Sequence, residues 1–313
     1  MIPDRLRHYL EYAGVMCLTL PWYYLPRKIT LTLGAWLGWN VAHLIPVRRQ
    51  VVQSNLTRAF PEKSGREIRK LVIQTYRHFG KVAGEFARQD RYSSGDLQKF
   101  VVPENVDILD TSMNHGRGVV LLLGHFGNWE LLAYWLGQMG YPTVALHRPQ
   151  ENPLVDRLIS VKRTAGNLQM LPTSESVTGM LSALDQEKIL LILADQDARG
   201  SGNFVDFFNI PSSTFRGAAV FAQRRQSPII LAFPVIQSDH TYRFIFEELR
   251  YSGNGNQDSV QQILQQYMYR LQHHVRQHPE QYFWFHRRWK TQPKKQEASE
   301  TTAPRWIGAG AAG

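Results

Sequence analysis

The sequence predicts an α/β fold: a mostly parallel, mixed sheet flanked by helices, preceded by helices that associate with a membrane. Three observations predict it. The runs "GVVLLLG" (118–124) and "KILLILAD" (188–195) are apolar at every central position. That is the signature of strands covered on both faces, whereas a half-exposed strand alternates. Segments of helical period separate such runs, which implies crossover connections and a parallel sheet. The first fifty residues carry two apolar stretches bounded by basic residues.

Those stretches, 9–26 and 29–46, come first. Each is shorter than the roughly 20 residues a bilayer span needs. Pro21 and Pro26 interrupt the first, and Asn40 and His43 lie in the second, with Arg5, Arg7, Arg27, Lys28, Arg48 and Arg49 around them. Attachment in or dipping into the interface fits this pattern better than a span or a buried hairpin. Glu11 breaks the apolar run after Arg5 and Arg7, and no small-residue cleavage site follows, so the segment is expected to be retained.

From 64 to 89 the pattern is helical, and Ser64 with Glu67 reads as a capping box. Strand 118–124 is followed by a helix over 128–139, a strand "TVALH", helices over 151–165 and 175–186, and strand 188–195. A helix over 216–226, strands "PIILAFPVIQ" and "YRFIFEEL", and a long helix near 257–277 complete the pattern. The expected organisation is a membrane-associating segment (1–50), one α/β domain (51–290), and a disordered tail (291–313) rich in Lys, Glu, Ala, Thr and Gly.

The formal charge of +10 favours acidic partners: nucleic acid, anionic lipid, phosphorylated substrates or an acidic carrier protein. A single cysteine, Cys17, excludes an intramolecular disulfide and lies in an apolar segment, where a reactive thiolate is disfavoured. There is no G-x-S-x-G elbow, Walker A loop, G-x-G-x-x-G loop or nucleic-acid motif, so no nucleic acid is expected.

Chemistry concentrates in "GHFGNWE" (124–130). Five residues apart on one helix are about 140° apart, so His125 and Glu130 cannot share a helical face. They meet if His125 ends a strand and Glu130 lies in the first helical turn, with Gly124 and Gly127 freeing the connection. The carboxylate then fixes the imidazole tautomer, leaving the other nitrogen as a general base. Free backbone N–H groups at the helix start, with Asn128, offer a site for a developing oxyanion. The competing interpretation is that His125 caps the helix and Glu130 complements its dipole.

The chain resembles the lipid A secondary (lauroyl/myristoyl) acyltransferase family, within the glycerolipid acyltransferase-like superfamily. "GHFGNWE" looks like its H-x-x-x-x-D/E motif. The likeness continues, in order, through "NLTRAFPE" (55–62), "HRPQENPLVDRLI" (147–159) with Arg163 and Gly166, "LLILADQDARG" (190–200), "FVDFFN" (204–209) and "QYFWFHRRWK" (281–290). The resemblance implies direct transfer of an acyl chain from a thioester, usually on acyl carrier protein, to a hydroxyl of a lipid A precursor; the alternatives are a coenzyme A-dependent acyltransferase acting on another glycolipid such as a phosphatidylinositol mannoside and, outside enzymes, a basic membrane- or nucleic-acid-binding module. It implies the cytoplasmic face of a bacterial inner membrane, an anionic membrane surface as partner, and no cofactor or metal. It makes 51–290 the catalytic domain, His125 the base and Glu130 its partner. Asn128, Arg163, Asp195, Asp197 and Arg199 are then expected to bind substrate. Trp129, Tyr134 and Trp135 are expected either to line an acyl groove or to be ordinary core.

Two patterns imitate metal sites. "DQDARGSGNFVD" (195–206) has acids at positions 1, 3 and 12 of a calcium loop, but Arg199 occupies a ligand position. His274 and His278 have zinc spacing without further ligands and are expected on a solvated face.

Overall fold

The computed structural model describes residues 3–45, 47–172, 177–251 and 257–293. The chain begins with helices α1 (Asp4–Tyr24), α2 (Arg27–Leu44), α3 (Arg49–Ala59), α4 (Gly65–Arg88) and α5 (Ser94–Gln98), then strand β1 (Val101–Glu104) and helix α6 (Val106–Met113). Strands and helices then alternate: β2 (Val119–Leu123), α7 (Trp129–Gln138), β3 (Thr143–His147), α8 (Pro153–Thr164), β4 (Gln169–Pro172), α9 (Val177–Asp185) and β5 (Ile189–Leu193). A ribbon of β6 (Asn203–Phe207) and β7 (Ile210–Thr214) precedes α10 (Gly217–Arg225), β8 (Ile229–Ile236), β9 (Tyr242–Leu249) and α11 (Gln257–Gln277). The end of the tail, 294–313, and the start of the helix expected over 175–186 lie outside the described residues.

Seven strands form one sheet in the order β1-β9-β8-β2-β5-β3-β4. Every neighbouring pair in it is parallel except β8–β9, which is antiparallel. This is the mostly parallel mixed sheet expected. The apolar run of β2 is explained by burial on both sides. Val120 and Leu122 join a core under α3, α4, α9, α10 and α11, and Val119, Leu121 and Leu123 join a second core under α5, α6 and α7. Ser64 and Glu67 form a reciprocal capping box at the start of α4, with the Ser64 N–H donating to Glu67 Oε2 at 2.8 Å.

The N-terminal helices are packed onto this domain through small residues. Gly34 and Gly38 of α2 meet Gly80 of α4 so closely that a Cβ on Gly34 would stand 2.3 Å from the Gly80 carbonyl oxygen. A buried ion pair fastens the same contact: Arg27 donates to Glu85 at 3.0 and 3.1 Å, and the Tyr92 and Tyr242 hydroxyls donate to the same carboxylate. What α2 turns outward is large and apolar: Ile29, Leu33, Trp36, Trp39 and Leu44 are exposed. Among the described residues no helix is long and apolar enough to cross a membrane.

Candidate active site

Register decides what stands at the carboxyl edge of the sheet, where open α/β sheets bind their ligands. Strands β2 and β5 are parallel neighbours with Leu123 opposite Leu193. His125 and Asp195 each follow two residues later, so the two strand ends deliver them side by side. His125 Nδ1 lies 2.7 Å from Asp195 Oδ1. The Asp195 side chain is fully buried and that of His125 is 21% exposed. Burial by itself raises the Asp195 pKa. The facing His125, by charge and hydrogen bond, and more weakly His286, outweigh it and hold the carboxyl well below the usual carboxylate range.

Glu130 therefore does not hold His125, contrary to the expectation. Helix α7 carries it toward α8, where Arg163 donates to both its oxygens, Nε to Oε2 at 3.0 Å and Nη2 to Oε1 at 2.5 Å. Burial alone would lower the Arg163 pKa; the hydrogen bonds and charge of Glu130 reverse that and keep the guanidinium firmly charged. The chain of contacts continues from Arg163 Nη1 to His147 Nδ1 at 3.2 Å and from His147 Nε2 to Asp156 Oδ1 at 3.0 Å. The expected pair is thus two adjacent networks, His125–Asp195 and Glu130–Arg163–His147–Asp156. Trp129 joins them: its ring lies 5.0 Å from His125, and its Nε1 donates to Glu130 Oε1 at 3.2 Å.

The turn between His125 and α7 is rigid. Gly127 has φ +61° and passes so near Pro234 that any side chain would collide with its carbonyl oxygen. Of the backbone N–H groups near Gly127–Asn128 expected to stabilise an oxyanion, those in the turn itself already have acceptors. Phe126 donates to Gly124 at 2.8 Å, Gly127 to Gln281 at 2.8 Å and Asn128 to Pro234 at 3.0 Å. Asn128 is fully buried; its Oδ1 caps α7 through Leu131 N–H at 3.0 Å and its Nδ2 donates to the Tyr242 hydroxyl at 3.2 Å. It shapes the turn and offers nothing to a substrate.

The other expected residues divide similarly. Asp197 accepts from Thr291 Oγ1 at 2.9 Å and from the Arg199 N–H at 3.4 Å, so it ties a loop to the segment after Lys290. Arg199 is exposed and its backbone is left-handed, with φ +56°. Tyr134 and Trp135 are core, whereas Trp129 is half-buried with Phe79, Phe283 and Phe285 in an aromatic wall beside His125. Among the described residues no group of acids, histidines or cysteine is placed to hold a metal ion. His274, expected on a solvated face, is instead buried, stacked on Phe233 at 3.9 Å and bonded to Glu247 at 2.8 Å.

Two site residues escaped the sequence. Gln196 places its amide Nε2 3.3 Å from His125 Nε2. His286 is buried beside Phe283 and neighbours Asp195 and His125; burial lowers its pKa to about 4, partly opposed by Asp195. A signal for the first existed: a polar residue three positions past an apolar strand that parallels the one before His125.

A family model described as bacterial lipid A biosynthesis acyltransferase matches residues 3–291. The chain belongs to that family. It is similar to the lipid A biosynthesis palmitoleoyltransferase of Escherichia coli (strain K12), 27% identical over 293 residues, covering 92% of this chain and 93% of the relative. It is also similar to the lipid A biosynthesis lauroyltransferase of the same organism, 26% identical over 291 residues, covering 92% and 94%. A partial likeness, 29% over 190 residues, covers 58% of this chain and 55% of the phosphatidylinositol mannoside acyltransferase of Mycobacterium tuberculosis (strain ATCC 25618 / H37Rv). The protein is an acyltransferase, and the networks around His125 are to be understood in that light.

Proposed function

We propose that this acyltransferase moves a fatty acyl chain from a thioester on acyl carrier protein to a hydroxyl of a lipid A precursor, with His125 as general base. The observation that carries the reading is the His125 Nδ1–Asp195 contact of 2.7 Å. An ionised carboxylate there keeps the Nδ1 proton in place, so Nε2 holds the lone pair. The acceptor hydroxyl gives its proton to Nε2 while its oxygen attacks the thioester carbonyl. When the tetrahedral intermediate collapses, the C–S bond breaks and the departing sulfur takes the proton back from Nε2. No covalent acyl-protein is required.

Glu130 acts in this scheme through Arg163. The pair adjoins Trp129 and is neutral as a whole, so it offers the partly exposed Arg163 guanidinium as a fixed hydrogen-bond donor to an anionic part of donor or acceptor. The half-buried aromatic wall of Trp129, Phe79, Phe283 and Phe285 is suited to the acyl chain, whose burial is worth about 0.8 kcal/mol per methylene. Phe79 adjoins Gly80, the contact point of α2. The aromatic wall thus lies beside the helix pair whose outer side, on α2, is apolar and exposed. With the exposed Trp36 and Trp39 and the flanking arginines, this favours attachment at the cytoplasmic face of the inner membrane.

The test is acyl transfer to a lipid A precursor with donor presented on acyl carrier protein or on coenzyme A. Lipid mass spectrometry should show one added chain, faster from the carrier, and none with His125→Ala. Preference for coenzyme A would move the donor assignment, and transfer only to a phosphatidylinositol mannoside would move the acceptor. Undiminished transfer by His125→Ala would end the mechanism.

A further inference from the structure

Acyl transfer from a thioester develops negative charge on the carbonyl oxygen, and such sites place N–H donors where that charge appears. The N–H groups of Phe126, Gly127 and Asn128 and the Asn128 side-chain amide are committed to acceptors within the protein, so in the turn itself this role falls to a side chain nearer His125. One neutral side-chain donor does touch the reacting nitrogen. With Nδ1 committed to Asp195, His125 Nε2 accepts from the Gln196 amide at 3.3 Å. Gln196 is half-buried, hence reachable by a substrate, and its neighbour Asp195 is fully buried and fixed by His125.

We propose that Gln196 is a further catalytic residue, whose side-chain N–H donates to the oxyanion of the tetrahedral intermediate. In the resting enzyme the same N–H covers the lone pair of the base. An acceptor hydroxyl arriving at Nε2 displaces it by about one hydrogen-bond length, roughly 3 Å, which leaves the amide beside the attacked carbonyl. The hydroxyl proton passes to Nε2, the new C–O bond forms, and the carbonyl π pair moves onto the oxygen that Gln196 faces. On collapse that pair re-forms the carbonyl, the C–S bond breaks, and sulfur leaves with its electrons and the proton from Nε2. The amide keeps its own protons throughout, so one group guards the base and then serves the intermediate.

The inference rests on His125 acting as base, and the experiment separates the two. The full chain and its Gln196→Ala, Gln196→Met and His125→Ala variants are compared on a donor and acceptor pair that the wild type turns over. Gln196→Ala and Gln196→Met, the latter near its size, uncharged and without a donor, should each lower kcat by about 10²–10³-fold. Both KM values should stay within a few-fold, and thermal unfolding should be unchanged. A kcat within about fivefold of wild type for Gln196→Ala, or a loss confined to KM, would overturn the role of Gln196 if His125→Ala is inactive. An active His125→Ala would overturn the base and this inference together. Should Gln196→Ala unfold early, Gln196→Met decides alone, since it nearly keeps the volume, adds no charge and removes the donor.

Discussion

The two ends of "GHFGNWE" belong to different networks. At one end His125 meets a carboxylate from the next parallel strand, and both are fixed by the ladder between β2 and β5. At the other, Glu130 leaves on α7 and meets a guanidinium from α8. One carboxylate holds a titratable partner and sets its tautomer. The other holds a permanent cation and sets its position. A contiguous motif thus need not be one site; strand adjacency chose the partner of His125, and helix packing chose that of Glu130.

The largest expected effect breaks the first network outright: His125→Ala should cost on the order of 10⁴-fold in turnover, with circular dichroism unchanged. Asp195→Asn should cost up to about 10⁴-fold. Combined with His125→Ala it should add nothing further, as residues acting as a unit are not additive. Glu130→Gln should lose about 10- to 100-fold and about 2 kcal/mol of stability. In a double-mutant cycle it should couple to Arg163 and not to Asp195. Coupling between Glu130 and Asp195 would erase the distinction drawn here.

Stability should carry a pH signature as well. Burial lowers the pKa of His78 to about 3 and that of His286 to about 4, so both are neutral in the folded chain. As pH falls below about 6.5 the unfolded chain binds these protons first, and stability drops by up to about 1.4 kcal/mol per pH unit for each histidine. The contribution of His286 flattens again near pH 4. Urea midpoints between pH 7.5 and pH 4 measure the slope, which His286→Asn should reduce. The smallest effect is expected outside both networks: Trp36→Ser should change stability by less than about 0.5 kcal/mol while weakening sedimentation with anionic vesicles.

Much of this was legible before any coordinates, for identifiable reasons. Strands buried on both faces announce themselves by unbroken apolar runs, which is why β2, β5 and β8 stand where expected. The ribbon β6–β7 was missed because its turn puts Phe208 and Asn209 in the left-handed region, with φ +56° and +58°, without the glycine that usually marks such a hairpin. The short β1 and β4 carry too little pattern to stand out. His125 was legible as a strand-end histidine. Its partner was not, because spacing along the chain favoured Glu130, and only the pairing of β2 with β5 makes Asp195 nearer. Asn128 and His274 were misplaced for the same reason: a sequence shows a polar group, and the tertiary fold decides whether the protein itself consumes it.

The level ends of β2 and β5 have a further consequence. The separation of His125 and Asp195 is set by a row of main-chain bonds that ends two residues before each of them. Lengthening the connections around α8 or α9 would therefore remodel what the enzyme accepts while leaving its proton chemistry untouched. A single residue inserted within Val119–Leu123 would instead rotate His125 to the opposite side of the sheet and silence it. Selectivity and reactivity are in this way separable by engineering.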